Sequence, residues 1–96
     1  MLFAINCTDK PDSLELRMAT RPTHLAYLIG CQPQLMLVGP VLTEGKPAGS
    51  LIVIEADDLA SAEAFAANDP YALAGLFAEV RVQPFRMVFK DGAKVA

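Results

Sequence analysis

A chain of 96 residues is close to the commonest size of a single folded domain, and with 53% hydrophobic residues it is too apolar to stay disordered. Its formal charge of −3 and scattered basic residues exclude the usual nucleic-acid binder, which concentrates Lys and Arg on one face to neutralise phosphates. No run approaches the ~18 apolar residues of a membrane span, the apolar start Met1–Cys7 is too short for a secretory leader, and Cys7 and Cys31 lack the spacing of a redox or zinc motif.

The expectation is therefore one domain over residues 1–96, cytoplasmic, with free thiols and with neither a membrane nor a nucleic acid as partner. A domain this short buries only about two-thirds of the surface its unfolded chain exposes, so the apolar surplus points to a second copy as partner.

Leu2 to Thr8 is rich in β-formers and reads as a first strand, ended by Asp9-Lys10-Pro11-Asp12. A helix starts near residue 13, capped by Asp12, with Glu15 completing a capping box, or by Ser13. Pro22 has no amide hydrogen and clashes with the preceding turn, which predicts a kink or restart there, with His24 in the opening turn of the second segment. Leu25, Leu28 and Ile29 fall on one face of that segment.

Residues 34–42 form a strand that ends or bulges at Gly39-Pro40, and Thr43 to Pro47 makes a turn. Gly49 to Ala56 is the clearest strand and pairs with the preceding one as a hairpin. Asp57 or Asp58 caps a second helix whose Leu59, Ala62, Phe65 and Ala66 share a face. Asn68-Asp69-Pro70-Tyr71 interrupts it, Pro70 opens a short turn through Ala74, and Gly75 closes that turn. Glu79 to Phe89 is a long last strand that Pro84 places at a sheet edge or interrupts with a bulge, and Asp91 to Ala96 is a polar tail. The order β-α-β-β-α-β is the ferredoxin-like arrangement of the α+β class, an antiparallel sheet with both helices on one face. Its bare face fits a homodimer.

His24 is the only histidine and the only side chain whose ordinary pKa lies near neutrality, which makes it the candidate base. Against this stands the commoner fate of a lone histidine as a packing or surface residue. Asp69 is either a turn cap or, if the fold brings it to His24, the carboxylate that orients the ring. Arg17 and Arg21, four apart on a helix, suit one carboxylate or phosphate, although exposed arginines are usually solvated or paired with neighbours such as Glu15. Gly39-Pro40 and Gly49-Ser50 frame the hairpin, where glycines most often serve turns and bulges but also let a ligand approach the backbone, with Ser50 as a polar contact or, more commonly, a structural residue; Tyr71 is a pocket donor or simply core beside Phe65 and Phe77. The methionines read as packing residues, no phosphate-binding glycine motif occurs, and one His with two distant Cys is a weak metal set, so no cofactor or metal is implied.

Met1-Leu2-Phe3-Ala4-Ile5 with Asp9-Lys10-Pro11-Asp12-Ser13-Leu14-Glu15, then Arg21-Pro22-Thr23-His24-Leu25, Gly39-Pro40, Asn68-Asp69-Pro70-Tyr71 with Ala74-Gly75, and Val82-Gln83-Pro84-Phe85, resemble in order the pattern of bacterial YciI-like proteins, the YCII-related domain family. The resemblance spans nearly the whole chain. It implies a ferredoxin-like fold that dimerises through its sheets into an α+β barrel, and an active site formed by a histidine and an aspartate that map onto His24 and Asp69. It also implies kinship with muconolactone-isomerase-like proteins and with a branch acting as a dehydrochlorinating lyase on a ring-derived compound. The segments at Gln32-Pro33-Gln34 and at Thr43 to Pro47 are shorter than in the family's bacterial members.

Two functions follow as expectations. One is a small-molecule lyase or isomerase in which His24 moves a proton, Asp69 orients it, and Arg21 or Ser50 steadies an anionic or enol-like substrate. The other is a non-catalytic dimeric module that binds a metabolite in the same pocket. A heme-handling barrel with His24 as axial ligand is a third reading.

Overall fold

The computed structural model describes all residues from Met1 to Ala96. Strand β1 (Leu2–Asp9) leads into helix α1 (Leu14–Ile29), then through a 3-10 turn at Gln32–Gln34 into β2 (Leu35–Thr43) and β3 (Lys46–Glu55). Helix α2 (Leu59–Ala67), a one-turn helix α3 (Pro70–Leu73) and β4 (Phe77–Phe85) follow, with a two-residue-per-strand hairpin, β5 (Phe89–Lys90) and β6 (Ala93–Lys94), after them. The main sheet is antiparallel in the order β2-β3-β1-β4, the ferredoxin-like α+β topology. No helix is long and apolar enough to cross a membrane.

Alternation along the central strands decides which face carries the helices. Phe3, Ile5 and Cys7 of β1 and Ile52 and Ile54 of β3 point to one face, where they pack with Leu28 of α1 and with Ala62, Phe65 and Ala66 of α2 to form the core. Register places Leu2, Ala4, Asn6 and Thr8 on the opposite face with Leu37, Val41, Leu51 and Phe85. The last four of these stay exposed.

Two glycines shape the hairpin β2-β3. Glu44 and Gly45 both adopt positive φ, 53° and 77°, the mirror-image turn that matches strand twist. Gly49 brings β3 so close to β1 that a Cβ there would stand 2.4 Å from the Cys7 carbonyl oxygen. The next residue, Ser50, is thereby held opposite Cys7 on the helical face.

Several local expectations give way to packing. Helix α1 runs unbroken through Pro22, so His24 sits well inside one helix and not in the first turn of a second. Pro22 is exposed, and its missing amide leaves only the Met18 carbonyl without its helical donor while the buried face holds the helix together. The buried face consists of Arg17, His24 and Leu28; Ile29 is 64% exposed and Leu25 is partly exposed. No capping box forms: Asp12 takes a left-handed φ of 56°, and the Ser13 hydroxyl donates back to the Pro11 carbonyl.

Strand β2 passes through Gly39-Pro40 without ending, and its irregularities fall on either side, between Leu35 and Leu37 and between Val41 and Leu42. Asp58 caps α2 by accepting from the Ser61 amide at 2.8 Å, but Leu59 lies outside the buried face. The long last strand is two elements. β4 starts at Phe77, ends at Phe85 and occupies the edge that Pro84 requires, while Phe89 to Lys94 folds back about Asp91-Gly92, both at positive φ, so the polar tail is half of a hairpin.

Candidate active site

A cavity of about 440 Å³ opens between α1 and the β2-β3 end of the sheet. Its wall takes Arg17, Arg21 and His24 from successive turns of α1, Val38, Gly39 and Pro40 from the edge strand, Pro47 and Ser50 from β3, and Tyr71 from α3. Seven of the eight residues singled out in the sequence thus face one space. The eighth, Asp69, stands behind His24.

Local geometry explains why Asp69 and Tyr71 arrive together. Asp69 is extended, Pro70 begins α3, and the Asp69 Oδ1 accepts from the Tyr71 amide at 2.9 Å. The same oxygen lies 2.8 Å from His24 Nδ1, with Asp69 2% and His24 6% exposed. With Asp69 as a carboxylate, which can only accept, a neutral imidazole at this contact carries its hydrogen on Nδ1 and its lone pair on Nε2. Nε2 has no partner in the chain, no buried nitrogen is left unpaired, and His24 lines the cavity, so Nε2 opens into it. The Tyr71 ring stacks on the imidazole at 3.9 Å between centroids and 20° between planes, and Phe77 meets the far edge of Tyr71. Carboxylate and phenol ring together fix the imidazole in position and tilt.

Arg17 differs from its expected exposed state. Only 3% accessible, it pairs with Asp9 and not Glu15, through Nε to Oδ2 at 2.7 Å and Nη2 to Oδ1 at 3.0 Å. Nη2 also donates to Ser50 Oγ at 2.9 Å, and the guanidinium carbon lies 4.5 Å from the centre of the Tyr71 ring. Burial works against the Arg17 charge, yet the hydrogen bonds and charge of Asp9 hold its pKa above the ordinary value. Burial raises that of the Tyr71 phenol as well, opposed in part by Arg17 and Arg21.

Asp9 is the one member of this network that sequence reasoning did not single out. A signal for it existed. Arg17 is seven residues before His24 and eleven before Leu28, on the buried stripe of α1, and a buried guanidinium demands a carboxylate close by.

Arg21, by contrast, is exposed at the cavity and forms no ion pair, so it is the uncompensated positive charge of the site. Cys7 is no nucleophile: burial first, and the nearby Asp69 second, push its thiol up to about 12. No group of three or more His, Cys, Asp or Glu side chains gathers closely enough to hold a metal ion.

The fold and this cavity define a ferredoxin-like α+β protein with a small-molecule-sized site built around a buried His–carboxylate pair. The chain belongs to the YCII-related domain family, whose model matches residues 1–86. It is 39% identical to Protein YciI of Escherichia coli O6:H1, over 93% of this chain and all of that one. Among solved structures it is similar to the 5-chloro-2-hydroxyhydroquinone dehydrochlorinase TftG of Burkholderia phenoliruptrix AC1100 in complex with 2,5-dihydroxybenzoquinone, at 35% identity and a TM-score of 0.86, covering 90% of this chain and 94% of that one. An antibiotic biosynthesis monooxygenase shares the fold at 14% identity and a TM-score of 0.55, covering 92% and 99% of the two chains.

Proposed function

We propose that this protein is a small-molecule lyase or isomerase in which His24 Nε2 acts as the base and Asp69 orients and supports the imidazole. The observation that carries this reading is the 2.8 Å contact between His24 Nδ1 and Asp69, which aims the free Nε2 lone pair at the cavity. In an elimination the proton passes to Nε2, its bonding pair becomes the new π bond, and the leaving group departs with the electrons of its own bond. The likeness to TftG favours a hydroxylated, halogenated ring as substrate, with halide as leaving group. Arg21, the cation without a partner, attracts a substrate that is already anionic.

A second copy of the chain covers the open sheet face, where Leu37, Val41, Leu51 and Phe85 otherwise face water. Halide release from a panel of chlorinated hydroxybenzenes and hydroxyquinones tests the chemical assignment. Release by the wild type and its reduction by about 10²-fold or more in His24→Ala are expected. Equal turnover by the variant, or none by the wild type over the panel, refutes it.

A metabolite-binding role without chemistry predicts tight binding of such rings, recovered unchanged, with affinity kept in His24→Gln.

A further inference from the structure

The guanidinium of Arg17 has five N–H bonds, and three are accounted for: Nε and one Nη2 hydrogen go to Asp9, the other Nη2 hydrogen to Ser50 Oγ. Neither hydrogen on Nη1 makes a hydrogen bond of ordinary geometry within the chain, although the Tyr71 hydroxyl lies near enough to the guanidinium to favour its charge. Ser50, 3% exposed, accepts from Arg17 and donates to no protein atom. Both residues line the cavity, and no buried polar atom lacks a partner, so Nη1 reaches open space there. With one Ser50 lone pair directed to Arg17, its hydroxyl hydrogen is free to turn toward the cavity. Donation from a charged group also strengthens that hydroxyl as a donor.

From these placements we infer that the Ser50 hydroxyl and Arg17 Nη1 form an oxyanion subsite that takes the carbonyl oxygen of an enolisable or quinonoid substrate as it becomes an enolate, with Asp9 as the positioning residue behind it. The subsite rests on the proposed proton-transfer reading and names its substrate class.

Spacing and charge support it. The centre of the Tyr71 ring lies 4.5 Å from the guanidinium carbon and 3.9 Å from the imidazole centroid, so those two groups flank one ring and are at most about 8.4 Å apart. A carbonyl oxygen and its α-carbon are ~2.4 Å apart by ordinary bond lengths. A donor contact of ~2.9 Å at the oxygen and an approach of ~3–3.5 Å at the carbon are what such a substrate needs in the cavity that Arg17, Ser50 and His24 line together. Asp9 cancels the formal charge of Arg17, so the subsite holds oriented dipoles more than net positive charge. Such a site favours a negatively charged oxygen over the neutral carbonyl oxygen from which it develops, which suits a transition state better than a ground state.

Ring-substituted phenols test this without turnover, because the bound phenolate mimics the enolate and its absorbance reports the ionised fraction. Wild type is expected to bind the phenolate form in preference to the phenol. Ser50→Ala should weaken phenolate binding by about ten- to a hundredfold, the range of one hydrogen bond to a charged group. Ser50→Thr, which keeps the hydroxyl, should restore most of it, and His24→Ala should retain it.

Unchanged phenolate affinity in a folded Ser50→Ala, or no binding by the wild type, overturns the subsite. Deuterium exchange at the α-carbon of small ketones and hydroxyquinones separates the two ideas. If exchange is absent in the wild type while phenolate binding still depends on Ser50, the subsite stands and the assignment of His24 as base falls.

Discussion

Breaking the Asp9–Arg17 pair gives the most demanding check of how the site is built. Both side chains are almost fully buried, at 6% and 4% exposure, and their two hydrogen bonds of 2.7 and 3.0 Å compensate the desolvation of each charge. In Asp9→Leu the guanidinium stays buried with only Ser50 as an acceptor, a change of the kind that costs about 3–5 kcal/mol. A domain of this size has about 5–15 kcal/mol in all. The melting temperature should fall by roughly 12–40 °C, at 4–8 °C per kcal/mol. Arg17→Met should be destabilised to a similar degree because it strands Asp9. The double variant Asp9→Leu/Arg17→Met replaces the pair by apolar groups and should return to within about 2 kcal/mol of wild type. Urea unfolding of all four proteins at one fixed protein concentration measures the coupling, since self-association also adds to apparent stability. If the single effects simply add, the pair is not the compensated unit described above.

Four other outcomes follow from the same geometry. Gly49→Ala, which strand propensity alone would make favourable, should destabilise by about 1–3 kcal/mol or more, because its Cβ falls 2.4 Å from the Cys7 carbonyl; a melting temperature at or above wild type contradicts this. Cys7 stays a neutral thiol up to about 12 in the folded chain while its ordinary value is 9.0, so the folded state loses stability as pH rises from about 9 toward 12, and Cys7→Ala should flatten the alkaline fall of the urea midpoint. Nitrogen-15 correlation spectra should show the His24 hydrogen on Nδ1, and Asp69→Asn should mix the two tautomers; one unchanged tautomer would deny Asp69 its orienting part. Leu51→Glu should convert a dimer to a folded monomer in sedimentation velocity, since that side chain lies on the open face at 37% exposure, and an unchanged dimer moves the interface elsewhere.

What the residues reveal by themselves divides along physical lines. The order of strands and helices was legible because β-formers, cap residues and prolines act locally: Asp58 caps α2, Pro70 opens α3 and Gly45 takes the positive φ of the hairpin turn. Pro22 misled for the opposite reason. The local rule treats a proline as a break, but the loss is one hydrogen bond on an exposed turn, set against a continuous buried face through Arg17, His24 and Leu28. The hairpin after β4 was missed although Asp91-Gly92 is a two-residue turn signal, because strands of two residues leave no alternation to read.

His24 and Asp69 stand 45 positions apart, and nothing in their spacing brings them together; from the residues alone their contact is a condition on the fold, and only the resemblance supplies it. Once α3 starts at Pro70, however, Asp69 must turn its carboxylate toward the Tyr71 amide, which places it beside the buried stripe of α1. Asp9 carries the converse lesson. It looked like the end of a strand, and only the burial of Arg17 eight residues later gives it a task. A charged residue placed on a stripe that already holds Leu28 and His24 cannot be a solvated surface group, so its periodicity carries more information than its chemical type.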